Sequence, residues 1–247
     1  MNSKFCKKKK HNPRFCITFH VDDFQLANNI KEFIGFGFIR KKIRQNAVVL
    51  VISNENGLLK IIDLFSNNFY TPKVIQFNKL LIWFNINKNF NFNINKINNN
   101  DLLFNYWFSG FVEADGCFYI RMTQAPHKSR IAFRFSIDQR MFDPITNESY
   151  YNILKNICDT FVIKLKTINR KNNKSYYRIE TVRKDSLLKL IIYFDKYKLI
   201  GKKKLDYDSW KEAFFVYNNC NKLNDEIINK IKELKSNMNR SRKITLL

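Results

Sequence analysis

The chain has 247 residues, of which 44 are Lys or Arg and 21 are Asp or Glu, so its formal net charge is +23. A hydrophobic content of 45% supports one large core or two smaller ones and excludes an intrinsically disordered chain. The charge favours nucleic acid over an anionic membrane, because the basic residues are not confined to one amphipathic helix. No apolar run reaches the length of a membrane span, and the five scattered cysteines indicate neither a zinc site nor a disulfide framework.

The first elements along the chain alternate between strand and helix patterns. A strand pattern at 15–19 (FCITF) precedes a helical pattern at 24–37. A second strand pattern at 47–53 (AVVLVIS) then leads into a helix at 58–65 (LLKIIDLF). This mixture predicts an α+β fold rather than a bundle or a sandwich.

An Asn-rich segment follows at 85–100 (NINKNFNFNINKINNN), and it lacks helical periodicity. Such a composition is typical of a linker between two folded parts. We therefore predict a first domain at 1–84, a linker at 85–100 and a second domain at 101–247.

The second half opens with a helix and strand pattern at 102–124 and then repeats the first half. The repeated strands and helices lie at 135–139, 149–161, 175–181 and 187–194. The helix LLKLIIYF is 129 residues beyond LLKIIDLF. Each half is thus expected to be an α+β half-domain with a basic antiparallel sheet, and the first half has no counterpart of the opening helix.

The segment WFSGFVEADGCFYI (107–120) resembles the LAGLIDADG motif of homing endonucleases and related intron maturases. Residues 108–116 align with the nine motif positions. The resemblance extends through 133–139, 193–210 and 231–242, and into the first half. It implies two pseudo-repeated half-domains whose antiparallel sheets form a basic saddle, with the first half truncated at its opening helix.

The resemblance implies roles for three residues of the second half. Asp115 resembles the catalytic acid that binds Mg²⁺, a metal that suits oxygen ligands and activates water. Gln139 resembles a polar residue that orders water near the phosphate, and Lys203 a basic residue near the transition state. Lys203 also lies in a run of three lysines, so a simple phosphate contact is an equal alternative. Glu113 is interpreted as a scaffold residue.

Double-strand cleavage requires two such sites, and the first half has neither the motif helix nor a match to Gln139, since Phe19 takes that place. Loss of cleavage is therefore expected. The small residues Ser109, Gly110 and Ala114 form a face on which a second helix can pack closely. We expect a partner to cover it: a second copy, a separately encoded helix, another protein or RNA.

Strand alternation and basic runs indicate which residues contact nucleic acid. The candidates are Lys7, Lys8, Lys9, Lys10, Arg121, Thr123, Arg134, Arg178, Arg183, Lys202, Lys204, Arg240, Arg242 and Lys243. Which of these contact bases and which contact phosphates depends on the three-dimensional geometry.

Three functions agree with this sequence, and RNA is favoured over DNA. The leading hypothesis is an inactive relative that binds rRNA among ribosomal proteins in the mitochondrial ribosome and needs no cofactor. The alternatives are an intron maturase and a Mg²⁺-dependent homing endonuclease active as a dimer or with a helix supplied in trans. Many residues with AT-rich codons (Asn, Lys, Ile, Phe, Tyr) indicate an organellar genome and location in the mitochondrion.

Overall fold

A computed structural model describes residues 12–123, 130–170 and 174–239. Within these ranges the chain forms two compact units, each with helices and one antiparallel sheet. This confirms the predicted α+β class. None of the described helices is both long enough and apolar enough to cross a bilayer.

Unit 1 consists of Met1–Phe69 and Lys73–Ile97. Its described elements are β1 (Phe15–His20), α1 (Phe24–Ile34), β2 (Phe38–Lys41), β3 (Ala47–Ile52), α2 (Glu55–Phe65) and α3 (Val74–Lys88). These strands pair in the order β1-β3-β2. The alternating apolar residues Phe15, Ile17 and Phe19 pack against a core from β3, α2 and α3. The period-two pattern therefore sets which face of β1 is covered.

The Asn-rich segment belongs to unit 1, because helix α3 continues to Lys88 and the chain beyond it is fastened to that helix. The backbone N–H of the buried Asn95 donates to Asn78 Oδ1 (3.0 Å), and the Asn95 carbonyl accepts from Asn78 Nδ2 (2.9 Å). Asn85 makes the same pair of bonds to the backbone of Phe92. The linker prediction was wrong for this part, since each amide supplies one donor and one acceptor to an extended chain.

Unit 2 consists of Tyr70–Pro72 and Asn98–Leu247. Its described elements are α4 (Trp107–Asp115), β4 (Gly116–Thr123), β5 (Arg130–Arg140), α5 (Tyr151–Phe161), β6 (Leu165–Arg170), β7 (Lys174–Thr181), α6 (Lys184–Lys196), α7 (Lys202–Asn219) and α8 (Asp225–Ser236). The described strands form a sheet in the order β4-β5-β7-β6. Helices cover one side of this sheet and leave the other side open.

The strand pairing confirms the internal repeat and corrects its register by one residue. Phe15 pairs with Ile52 in unit 1, and Phe135 pairs with Thr181 in unit 2. When the two phenylalanines are equated, Ile52 corresponds to Thr181, at the same offset as that between α2 and α6. The strand order β1-β3-β2 then matches β5-β7-β6, and the described part of unit 1 has no counterpart of α4 and β4.

Helix α4 lies at the centre of the unit 2 core. Phe108 and Val112, one turn apart, are both fully buried. The Phe108 ring lies 5.0 Å from that of Phe161 and 5.7 Å from that of Phe194, measured between centroids. Aromatic packing from α5 and α6 therefore fixes the position of α4, and with it the carboxylates at its end.

Candidate nucleic-acid interface and motif site

Helix α4 delivers Asp115 directly to the start of the open sheet. The helix ends at Asp115, and Gly116, whose backbone N–H donates to the Val112 carbonyl, begins β4. Gly116 is extended rather than left-handed, so conformational freedom is not the reason for a glycine here. A Cβ at Gly116 would lie 2.5 Å from Val112 Cγ1. The close approach of strand to helix thus requires glycine, and it leaves the Asp115 side chain exposed.

Glu113 joins α4 to the start of α7. Its Oε1 accepts hydrogen bonds from the backbone N–H of Ile200 (2.6 Å) and of Gly201 (2.8 Å). Gly201 is the N-cap of α7, where unpaired N–H groups and the helix dipole both favour a negative charge. Glu113 therefore acts as scaffold, as the sequence suggested.

Replacing Glu113 tests this connection. Glu113→Ala is expected to lower the free energy of unfolding by about 2 kcal/mol, because two backbone donors lose a charged acceptor that is partly exposed. Glu113→Gln keeps an acceptor oxygen, so it should lower the free energy of unfolding by about half as much as Glu113→Ala. Urea titration followed by circular dichroism measures both. Equal losses for the two variants would show that the hydrogen bonds do not carry the effect.

Lys203 lies near the same end of β4 as Asp115. It occupies the first turn of α7, and its charge acts on the Cys117 thiol, whose pKa is nevertheless raised because burial outweighs the nearby cations. Gln139 is the penultimate residue of β5, two residues beyond Ile137, which pairs with Gly116. The side chain of Gln139 shares the core-facing parity of Ile137 and not that of the open face. The structure thus places all three family-matched residues at one end of the β4–β5 pair.

A buried carboxylate near this end was missed by sequence reasoning. Asp143 is 1% exposed and accepts hydrogen bonds from the backbone N–H of Ile145 and Thr146, and from the Tyr150 hydroxyl (3.0 Å). Burial raises the pKa of Tyr150, and the charges of Asp143 and Asp115 raise it further. Asp143 therefore shapes the turn after β5, close to Asp115. An Asp-Pro pair, typical of turns, was the available signal.

The open face of the unit 2 sheet is strongly basic. Residues that alternate with the buried positions of each strand face this side. In the described strands it carries eight basic side chains, Arg121, Arg130, Arg134, Arg140, Lys166, Arg170, Lys174 and Arg178. Asp138 and Glu180 are the acidic side chains among them. Such a surface suits a polyanion.

Asp138 lies on this face near the end of β5, beyond the last pair with β4, and holds two arginines. Its Oδ1 accepts from Arg178 Nε (2.6 Å), and its Oδ2 accepts from Arg178 Nη2 (2.6 Å) and Arg170 Nη2 (2.5 Å). The hydrogen bonds from Arg178 lower the pKa of Asp138, although partial burial opposes this. Asp138 is therefore ionised at neutral pH.

Arg134 is placed by an aromatic ring and a second carboxylate. Its guanidinium lies 5.2 Å from the Tyr119 ring centroid, and its Nη1 lies 3.3 Å from Glu180 Oε2. Lys235 of α8 approaches the same ring at 5.8 Å, and Lys166 lies 3.4 Å from Glu180. The cations at the centre of the face are thus held in fixed positions.

The predicted contact residues fall at different places in the fold. Arg121, Thr123, Arg134 and Arg178 lie on the open face. Arg183 does not, because β7 ends at Thr181 and Arg183 is the N-cap of α6. Lys202 and Lys204 lie in the first turn of α7, where Lys204 pairs with Asp208. The remaining candidates, Lys7, Lys8, Lys9, Lys10, Arg240, Arg242 and Lys243, lie outside the described residues.

The predicted small-residue face of α4 was partly wrong. Ser109 is 3% exposed, and its hydroxyl donates to the Tyr197 carbonyl, so it faces the core of unit 2. Gly110 and Ala114, four residues apart, share the exposed side of the helix. A Cβ at Gly110 would meet no heavy atom within 4 Å. Close approach of another helix is thus open to Gly110 and Ala114 only.

In the described strands of unit 1, the sheet face opposite the core carries one arginine, Arg40, and not the basic surface that was expected; Val49 and Val51 on this face are buried. The side chains on that side of the described strands are Cys16, Thr18, His20, Phe38, Arg40, Ala47, Val49 and Val51. Phe19, which matches Gln139, pairs with Val48 and packs against the core. Of the two sheets as described by residues 12–123, 130–170 and 174–239, the unit 2 sheet thus carries the more basic face.

The described residues contain no group of three or more His, Cys, Asp or Glu side chains that would cage a metal ion. Mg²⁺ is usually held by one or two carboxylates together with substrate phosphates and water. The exposed Asp115 carboxylate fits that kind of site. A metal would then depend on the nucleic acid for its remaining ligands.

Comparisons with known proteins agree with this geometry. The family model described as LAGLIDADG endonuclease matches residues 2–84 and 108–214. An uncharacterized cox1 intron-2 protein of Schizosaccharomyces pombe is 30% identical over 221 residues, covering 88% of this chain and 64% of that protein. The intron-encoded DNA endonuclease aI3 of Saccharomyces cerevisiae is 27% identical over 248 residues, covering 88% and 60%. The chain thus spans about three fifths of the length of these two relatives.

A further relative carries the name of a maturase, and a solved meganuclease structure shares the fold. The intron-encoded RNA maturase bI4 of Saccharomyces cerevisiae is 28% identical over 113 residues, covering 45% of this chain and 16% of that protein. The meganuclease I-SmaMI bound to uncleaveable DNA superposes with a TM-score of 0.72 at 20% identity, covering 93% of this chain and 87% of that one. The fold is therefore that of the LAGLIDADG meganucleases. With its motif helix, its repeated half-domain and the matched ranges, the chain belongs to the LAGLIDADG endonuclease family.

Proposed function

We propose that the chain binds double-stranded DNA on the open face of its unit 2 sheet and hydrolyses a phosphodiester bond beside Asp115, as an intron-encoded homing endonuclease. One observation carries this proposal: an exposed carboxylate and Lys203 lie at the end of a sheet face with eight basic side chains. Phosphates would be attracted to that face, and the reacting phosphate would lie at the end of the face where Asp115 is exposed. Relatives that carry the endonuclease name support the same function.

Mg²⁺ is the metal we propose for this reaction. Bound to Asp115 and to the DNA, it would lower the pKa of water and stabilise charge on the phosphate. Lys203 would add positive charge beside the phosphate, as a lysine does without precise bidentate geometry. Gln139, at the end of β5, would orient water from its position beyond the β4–β5 pair.

One complete site predicts cleavage of one strand. In residues 12–97 the structure shows no second helix that ends in an aspartate at the start of a strand. A cut in both strands would need a second motif helix, from another copy, from a helix supplied in trans or from elsewhere in a longer polypeptide. Gly110 and Ala114 offer the exposed small-residue side on which it would pack.

An intron maturase is the second candidate, because one relative carries that name. The same basic face would then bind folded RNA through its backbone and shape. A role in the mitochondrial ribosome remains a prediction, and none of the relatives named above supports it. Two findings favour an organellar origin: many residues have AT-rich codons, and one relative is named for a cox1 intron.

Selection from randomised libraries tests the function. The full chain is incubated with duplex DNA or with RNA, bound molecules are recovered and sequenced, and Mg²⁺ is then added to the selected duplexes. We expect a preferred duplex sequence, an affinity that falls steeply with salt, and a cut in one strand. Enrichment from the RNA library alone would reject the endonuclease and favour the maturase.

A further inference from the structure

Side chains from three strands, β5, β7 and β6, meet at Asp138 on the open face, near the end of β5. Asp138 of β5 lies directly opposite Arg178 of β7 in the antiparallel ladder. Arg170 reaches the same carboxylate from the end of β6, and its guanidinium lies 4.5 Å from the Tyr176 ring centroid. Both arginines are thus fixed in position before any ligand arrives.

The hydrogen bonds to Asp138 determine which edge of Arg178 is presented. A guanidinium has five N–H donors in one plane, and Asp138 engages the edge formed by Nε and Nη2. The edge formed by Nη1 and Nη2 keeps donors directed away from Asp138. Nη1 lies 3.9 Å from Glu180 Oε2, which is an ion pair beyond hydrogen-bond length. This second edge has the fork geometry that pairs with two adjacent acceptors.

The place of Arg178 in the sheet favours a base over a phosphate. Strands lie about 4.8 Å apart, and the major groove is about 12 Å wide, so two neighbouring strands fit within it. In the order β4-β5-β7-β6 the two inner strands are β5 and β7. If the sheet enters the groove, we expect side chains of the inner strands to meet base edges and those of the outer strands to meet phosphates.

We propose that Asp138 is a positioning residue that fixes Arg178 for bidentate recognition of one guanine in the major groove of the DNA target. Guanine presents two adjacent acceptors, O6 and N7, which match the Nη1 and Nη2 edge. The inference rests on the proposed DNA binding and adds to it a residue that determines sequence specificity.

The charge of Asp138 makes this inference testable. A carboxylate on a surface that binds phosphates is unfavourable, so charge alone predicts that Asp138→Asn tightens binding to every duplex. If Asp138 positions Arg178, the same variant loses its preference for guanine, because a freely rotating guanidinium discriminates less well. The affinity for non-specific DNA should rise whether or not Asp138 positions Arg178. Only a change in the preference for guanine distinguishes the two explanations.

The experiment uses the full chain and the duplex selected by the wild-type protein. Each base pair of that duplex is varied in turn, and binding is measured by gel shift for wild type, Asp138→Asn and Arg178→Ala. We expect one position at which wild type prefers guanine about tenfold to a hundredfold. Both variants should reduce that preference about tenfold, and only at that position. Uniform weakening at all positions would assign Arg178 to a phosphate and overturn the proposal.

Two control variants isolate geometry from charge. Asp63→Asn removes the same charge from exposed α2 and should leave the preference unchanged. Arg178→Lys keeps the charge and loses the planar fork that Asp138 holds, so its guanine preference should no longer depend on Asp138, while the salt dependence stays the same. A further loss of preference when Asp138→Asn is added to Arg178→Lys, equal to the loss in wild type, would overturn the proposal. If the wild-type protein selects no duplex, the proposed function itself fails. If it selects a duplex but Asp138→Asn keeps the full guanine preference, only the positioning role of Asp138 fails. Circular dichroism confirms that each variant is folded.

Discussion

Asp115→Asn should not weaken duplex binding and should lower the rate of Mg²⁺-dependent strand cleavage at least about a hundredfold, since changing even an outer-shell partner of a metal ligand costs up to about that much. The side chain is exposed at the end of α4, so the substitution creates no cavity. An amide has the same shape, but its neutral oxygen is a weaker ligand for Mg²⁺ than a carboxylate. Loss of cleavage without loss of binding is the signature of a residue in the chemical step.

Single-turnover cleavage of the selected duplex over a range of Mg²⁺ concentrations measures this effect. Asp225→Asn, an exposed acid in the first turn of α8, is the matched control and should cleave at the wild-type rate. Wild-type cleavage by Asp115→Asn would remove Asp115 from the mechanism. Similar loss in both variants would point to net charge instead of the metal.

Phe108→Ala should lower the stability of unit 2 by about 3 to 5 kcal/mol, which is a large part of the margin of a domain of this size. Phe108 is fully buried in α4, and its ring packs between those of Phe161, Tyr193 and Phe194. Removing it leaves a cavity among rigid aromatic rings, which cannot collapse to fill the space. The helix that carries Asp115 would lose its main anchor.

Urea unfolding followed by circular dichroism gives the loss for the unit 2 transition. Phe104→Ala is the matched control, because Phe104 is 72% exposed and the same truncation there should cost less than about 1 kcal/mol. Binding and cleavage by Phe108→Ala should fall with the folded fraction and recover on cooling. A loss no larger than that of Phe104→Ala would show that α4 is not anchored through this ring.

Local patterns in the sequence located the motif helix, the strands and the repeat. The boundary of α4 and β4 was predictable, since an apolar helical run ends in a glycine before strict alternation begins. The period-two pattern of β4 and β5 also placed Arg121 and Arg134 on the open face. Such features depend on neighbours within a few residues, which is the range over which propensity and periodicity act.

Side chains whose partners are distant in sequence could not be placed in this way. Ser109 belonged to the small-residue face by composition, yet it donates to Tyr197, 88 residues away. The linker prediction failed for its first part, because residues 85–88 continue helix α3 and because Asn78 and Asn85 of this helix bind the backbone that follows it. An asparagine-rich composition fits both a free linker and a segment that hydrogen bonds fasten to a helix. The composition alone does not show which partners the amides have.

The sequence by itself determined the family, the position of Asp115 at the end of a helix, and the excess of positive charge that favours nucleic acid. Only the tertiary structure decided where part of that charge lies: eight basic side chains share the open face of the unit 2 sheet, whereas the described strands of unit 1 carry one arginine on the equivalent face. It also decided that Glu113 holds α7 and that Asp138 holds two arginines. The physical reason is that these roles depend on hydrogen bonds of fixed length and direction between strands and helices far apart in the chain, which local patterns do not specify.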